Sequence, residues 1–248
     1  MRKLMIHSLA ICFAVALVHR AGAADEPKDI IAKAIKAYGG EEKLSKLVAG
    51  KSKAKGKIEL FGGLSFTTES ASQLPDKFKE VTSLEIMGNQ VTITTVYNGK
   101  EAWVSAMGQT QALEGKALDQ MKENAYAGRV GQLVALKEKE FELAPLGEIK
   151  VNGKTAVGVK VSSKGHKDIS LFFDKTTGLL AKTERRAVDA QSGQEYNEER
   201  FDSDYKLVNG MQTPHKVVIH RDGKKFMEAE VTEIKILDKL DDSEFAKP

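Results

Sequence analysis

Val91-Thr92-Ile93-Thr94-Thr95-Val96-Tyr97-Asn98-Gly99-Lys100-Glu101-Ala102-Trp103-Val104-Ser105-Ala106-Met107 decides the fold of this 248-residue chain. Val91, Ile93, Thr95 and Tyr97 alternate before the Asn-Gly pair, and Trp103, Ser105 and Met107 share one parity after it. Alternation with period two is the mark of a strand with one face buried and one wet. Asn-Gly favours a type I′ turn, because both central residues take positive φ and Gly and Asn adopt it cheaply. The signature recurs at Asn152-Gly153-Lys154, Asn209-Gly210 and Asp222-Gly223-Lys224, each between β-branched or aromatic runs. Four such turns in register predict one large up-and-down antiparallel sheet, whose concave face needs a cover.

Working outward, Phe78, Thr82, Leu84 and Ile86 alternate up to a Gly88-Asn89 turn, and Leu64, Phe66 and Leu74 oppose Ser65, Thr67, Glu69 and Gln73. Residues 51–60 are weakly apolar and read as an edge strand. Downstream, Val157, Val159 and Val161 alternate, as do Ile169, Leu171 and Phe173. Phe201, Tyr205, Val217, Ile219 and Val231 continue the series. The count is eleven or twelve strands, enough to curl or nearly close a sheet.

Two stretches have helical spacing instead. Residues 27–47 carry Ile30, Ile31, Ala34, Ile35 and Tyr38 on one face, with Gly39-Gly40 as an interruption. Residues 115–139 carry Leu118, Met121, Ala125, Leu133 and Leu136, with Gly128 and Gly131 placed to split or bend them and to act as hinges. The predicted order is helix, five strands, helix, then six or seven strands. No long linker or low-complexity block divides residues 24–248, which read as one domain.

Arg2 and Lys3, an apolar run from Leu4 to Val18 and the small residues Ala21-Gly22-Ala23 read as a secretory signal cleaved after Ala23. The net charge of +3 (38 basic against 35 acidic residues) comes entirely from Arg2, Lys3 and Arg20. The processed chain is formally neutral, which argues against nucleic acid as a partner. Cys12, the one cysteine, leaves with the signal, so neither disulfide nor thiolate chemistry is expected.

Signals for catalysis are thin. His215 and His220 lie five apart in a strand and face opposite sides, and His166 follows Gly165 in a turn, so no metal site is predicted. No Gly-x-Ser-x-Gly or phosphate-binding loop occurs. Glu195, Glu198, Glu199 and Arg200 read as decoration of an outer strand face, and Arg185-Arg186 as a solvated strand end. Neither an enzyme nor a cofactor is expected. What remains is apolar: Phe66, Phe78, Leu84, Ile93, Trp103 and Met107 on inward parities of the sheet, and Leu118, Met121 and Leu133 on the covering helix. Such a surface suits an acyl chain, which asks for area and few hydrogen bonds. A filled core fits the same pattern.

Five motifs together resemble one family. They are Ala37-Tyr38-Gly39-Gly40 with Leu44 and Leu47, Tyr97-Asn98-Gly99-Lys100-x-x-Trp103, and Phe173-Asp174-x-x-Thr177-Gly178-Leu179-Leu180. Asp204-Tyr205-x-x-Val208-Asn209-Gly210-x-x-x-Pro214 and the terminal Phe245-Ala246-Lys247-Pro248 complete the set. In this order they resemble the outer-membrane lipoprotein-sorting proteins, the LolA/LolB-like periplasmic carriers, over nearly all of the processed chain. The resemblance implies a mainly β, α+β fold: a curved, incompletely closed antiparallel β-barrel of about eleven strands with helices as a lid over an apolar cavity. It further implies a monomer in the periplasm that carries acylated lipoproteins or lipid and meets membrane-bound transport machinery transiently. The competing expectation is a cell-envelope structural or interaction module with a filled core, marked by Trp103, Met107 and Met121 in mutual contact.

Overall fold

The computed structural model describes residues 26–59, 62–86, 88–189 and 192–248; the expected signal segment, with its expected cleavage point after Ala23, lies outside them. Two short helices come first, α1 (Pro27–Tyr38) and α2 (Glu41–Ser45), followed by six strands. These are β1 (Ala49–Ile58), β2 (Leu64–Gln73), β3 (Lys77–Ile86), β4 (Asn89–Asn98), β5 (Ala102–Ala106) and β6 (Gln109–Leu113). Helix α3 (Gly115–Gly131) and a 3-10 turn at Val134–Lys137 lead into seven more strands. They are β7 (Phe141–Val151), β8 (Lys154–Ser163), β9 (Ile169–Asp174), β10 (Leu180–Val188), β11 (Glu195–Val208), β12 (Met211–Arg221) and β13 (Lys224–Leu237). A second 3-10 turn, Asp242–Phe245, ends the chain.

All thirteen strands form one antiparallel sheet, ordered β6-β5-β4-β3-β2-β1-β13-β12-β11-β10-β9-β8-β7. Two meanders join where β1 pairs with β13. The strand absent from the sequence reading is β6, because Gln109–Leu113 is too polar to signal one. Its hairpin turns on Met107 and Gly108, both at positive φ, where Met gives no turn signal. Three of the four predicted turns have positive φ at both central residues: Asn152-Gly153, Asn209-Gly210 and Asp222-Gly223. Asn98-Gly99 differs. Positive φ falls on Gly99, and the Asn98 side chain closes the loop by accepting bonds from Lys100 N and Glu101 N at 2.9 and 2.8 Å.

The expected edge strand, β1, lies between β2 and β13 in the middle of the sheet. Its low apolarity has a physical cause. Lys51, Lys53, Lys55 and Lys57 stand on one face, where Lys51, Lys53 and Lys55 pair with Glu244, Glu69 and Glu230. The other face carries Gly50, Ser52, Ala54 and Gly56. A side chain at Gly56 would meet Glu228 O at 2.1 Å and the Phe66 ring at 2.8 Å, so the close approach there admits no Cβ.

Helix α3 fixes which face is concave. The sheet edges β6 and β7 are consecutive in the chain except for α3 and the turn after it. Near its start, Leu118, Met121 and Ala125 pack on Tyr97, Ala102 and Phe78 at one end of the sheet. Near its end, Tyr126 and Val130 join the main core with strands β7 to β10 and helix α1 at the other. A helix of this length spans only about 25 Å, so the sheet curves to bring both ends to it and stays open. The helix runs unbroken through Gly128, contrary to the expected split, and ends at Gly131; Leu133 then turns with φ 60.

Candidate functional site

The strand registers map the concave face row by row. Gly56, Phe66, Leu84 and Val91 stand opposite one another across β1 to β4. The next row is Ala54, Thr68, Thr82, Ile93 and Ala106, and the one after it Ser52, Ser70, Glu80, Thr95 and Val104. Gly50, Ser72, Phe78, Tyr97 and Ala102 close the series beneath α3. Leu84, Ile93, Thr68, Thr82, Thr95 and Val104 are half-buried, whereas Phe66 and Tyr97 are buried. The middle of the concave face is therefore a trough of small, hydroxyl and aliphatic side chains, partly open to water and bridged by α3.

Phe66, Phe78, Leu84 and Ile93 lie on this face by register, and Leu118 and Met121 reach it from α3. Leu133 is buried in the main core beside α1. Two candidates lie elsewhere. Trp103 faces the convex side, packed with Ala49, Ala71, Val96, Leu240 and Phe245 under the C-terminal turn. Strand β5 is apolar on both parities because α3 covers one face and the C-terminal tail the other, so alternation alone could not choose between them. Met107 sits in the β5–β6 turn, 83% exposed. Trp103, Met107 and Met121 consequently occupy three separate places.

Solved structures align over most of the chain. A LolA superfamily protein from Nitrosomonas europaea superposes with a TM-score of 0.58 at 11% identity, covering 90% of this chain and 99% of its own. A DUF1329 family protein from Desulfovibrio piger gives 0.56 at 16% identity, with 90% and 98% covered. A domain named for outer membrane lipoprotein sorting, from Vibrio parahaemolyticus, gives 0.52 at 11%, with 88% and 95% covered. The fold is LolA-like. No family model and no curated protein sequence matches the chain, so the likeness is one of architecture.

The five sequence motifs form two locks. Three of them meet around α1. Tyr38 and Tyr205 hydroxyls lie 2.8 Å apart with their rings edge to face, and Tyr205 donates to Leu180 O at 2.7 Å, which leaves Tyr38 as donor to Tyr205. Desolvation pushes the Tyr38 phenol up to about 12 and raises Tyr205 as well, so both stay protonated donors. Gly39 rests on the Asn209-Gly210 turn, where a Cβ would meet Gly210 O at 2.5 Å. Gly178 packs against Ala37 and Lys33, held by Asp174, whose Oδ1 accepts from Thr176 N and Thr177 N. The remaining two motifs meet on the convex face, where Phe245 covers Trp103.

Helix α3 is tied at several points besides its core contacts. Gln120 accepts from Val188 N at 2.6 Å, and Glu123 accepts from Lys167 N at 3.1 Å and bonds His166 Nδ1 at 3.0 Å. His166 stacks on Tyr126 with ring centroids 4.0 Å apart, so the turn residue serves as an anchor for the helix. Glu198 and Arg200 also differ from expectation. Both lie on the concave side: Arg185 donates to Glu198 at 2.7 Å, and Arg200 donates to the buried Asp202 at 3.0 Å. Arg185 is thus an ion-paired wall residue, not a solvated strand end.

Shallow depressions of about 160 and 220 Å³ lie outside the trough. The first, on the convex face beside the C-terminal turn, is lined by paired charges including Lys51, Lys79 and Glu244. The second flanks α1 at Lys33, Phe173 and Gly178. Neither offers the extended apolar area of the concave face.

Proposed function

We propose that this LolA-like chain binds an acyl chain of a lipoprotein or lipid, non-covalently, along the concave trough beneath α3, and carries it through the periplasm as a soluble monomer. The observation that carries the reading is the half-buried state of Leu84, Ile93, Val104 and their neighbours on a sheet face already bridged by a helix. A finished core would bury them. An acyl chain laid there gains about 0.8 kcal/mol per methylene removed from water, and it makes no hydrogen-bond demand on a surface of Gly, Ala, Ser and Thr. The scattering of Trp103, Met107 and Met121 removes the contact expected of a packed-core module. No helix among the described residues is long and apolar enough to cross a membrane. Entry and release would need α3 to part from one end of the sheet, with the residues around Gly131 and Leu133 as the pivot.

Mass spectrometry of protein purified without detergent, with titration of a fluorescent fatty acid, tests this function. Co-purifying lipid and saturable binding are expected. Absence of both would overturn the reading in favour of a ligand-free envelope module.

A further inference from the structure

Glu80 is an anomaly on the concave face. Along β1 to β6 and the Met227–Ile236 stretch of β13, it is the one charged residue that register places inward among the described residues. Its neighbours in the same cross-strand row are Ser52 and Ser70 on one side and Thr95 on the other. Thr82 Oγ1 lies 3.3 Å from Glu80 Oε1 and is the one hydrogen-bond partner the carboxylate has among the described residues. No cation stands within ion-pair distance of it among them. By contrast the convex face of the same strands pairs Lys51, Lys53, Lys55, Lys77 and Lys79 with carboxylates. The carboxyl group reaches water through the trough yet is ringed by protein, and that desolvation raises its pKa.

Glu80 is exposed to the open trough, and an acyl chain laid over the trough would shut water away from its carboxylate, a loss that a cation carried by the same ligand offsets. A primary ammonium carries three N–H donors. The Glu80 carboxylate with the hydroxyls of Ser70 and Thr95 offers acceptors on adjacent strands, about 5 Å apart. Leu84, Ile93 and Phe66 continue the same face along the strands, where an attached chain would lie. We propose that Glu80 is the head-group subsite of the trough and that it selects acyl-chain amphiphiles bearing a primary ammonium, such as aminophospholipids, over neutral or anionic ones. This deepens the acyl-binding function and rests on it.

The test displaces a fluorescent fatty acid with dodecylamine, dodecanol, dodecanoate and chain-free ethanolamine, on the wild-type protein, E80Q and E80K. Wild type is expected to bind dodecylamine about tenfold more tightly than dodecanol, the scale of one charge-assisted hydrogen-bonded contact. Ethanolamine should not compete, which separates a lipid head group from a free amine. E80Q should equalise dodecylamine and dodecanol, and E80K should favour dodecanoate. Equal binding of dodecylamine and dodecanol by wild type, or an amine preference that survives in E80Q, would overturn the subsite while leaving acyl binding intact. Failure of every twelve-carbon ligand to compete would overturn both.

Discussion

Single residues of this sheet carry opposite energetic signs. Glu80, though open to the trough, has its pKa raised by desolvation from the strands around it, so its ionisation disfavours the folded state. That cost is absent below the ordinary carboxylate range, where the group is protonated folded or unfolded, and it develops as pH rises through the raised value. E80Q should therefore raise the thermal midpoint at pH 7 and leave it nearly unchanged at pH 4; an equal shift at both would contradict a desolvated carboxylate. Tyr205 stabilises instead, by linking Tyr38 to Leu180 O. Tyr205→Phe strands a phenol and a carbonyl, and urea unfolding should show a loss of about 1–3 kcal/mol. The residue scale is also where reading the sequence was least decisive. Period two sets Phe66, Phe78, Leu84 and Ile93 on one parity, which register puts on the concave face, but it reports two parities without saying which faces inward. Trp103 shows the ambiguity, expected inward yet packed on the convex side, and a lone acid in a strand, such as Glu80, carries no signal until the face is known.

At the scale of elements, recurrent turns made the sheet legible, and helical spacing found α1 and α3. What escaped was produced by tertiary context. The lysine-rich β1 resembled an edge, yet it sits centrally because its lysines meet carboxylates on the convex face and its glycines admit the close approach of β13. The short Gln109–Leu113 strand had no apolar pattern to announce it. The motif Phe245-Ala246-Lys247-Pro248 does not announce in sequence what it packs on; its Phe245 is less than 2% exposed over Trp103. Phe245→Ala should cost about 3 kcal/mol and shift Trp103 emission to longer wavelength as water reaches the ring. Unchanged emission would show that the tail does not shield it.

For the whole molecule, the two meanders meet at β1 and β13, and α3 connects the two free edges across the opening. This leaves the concave face of β1 to β5 lined by small, hydroxyl and aliphatic side chains around Glu80, while the paired charges of that face stand on β10 and β11, an arrangement that gives one face a use beyond stability. Thr94 and Thr95 make the cleanest comparison of the faces. They are adjacent, half-buried and identical in type, but Thr95 lies in the Glu80 row of the trough and Thr94 on the convex side. The measurement that bears most directly on acyl binding in the trough is fluorescent fatty-acid titration of Thr95→Trp beside Thr94→Trp, with circular dichroism of both to confirm the fold. Loss of saturable binding in Thr95→Trp, with Thr94→Trp binding like wild type, is the predicted result. Undiminished binding by a folded Thr95→Trp would contradict it.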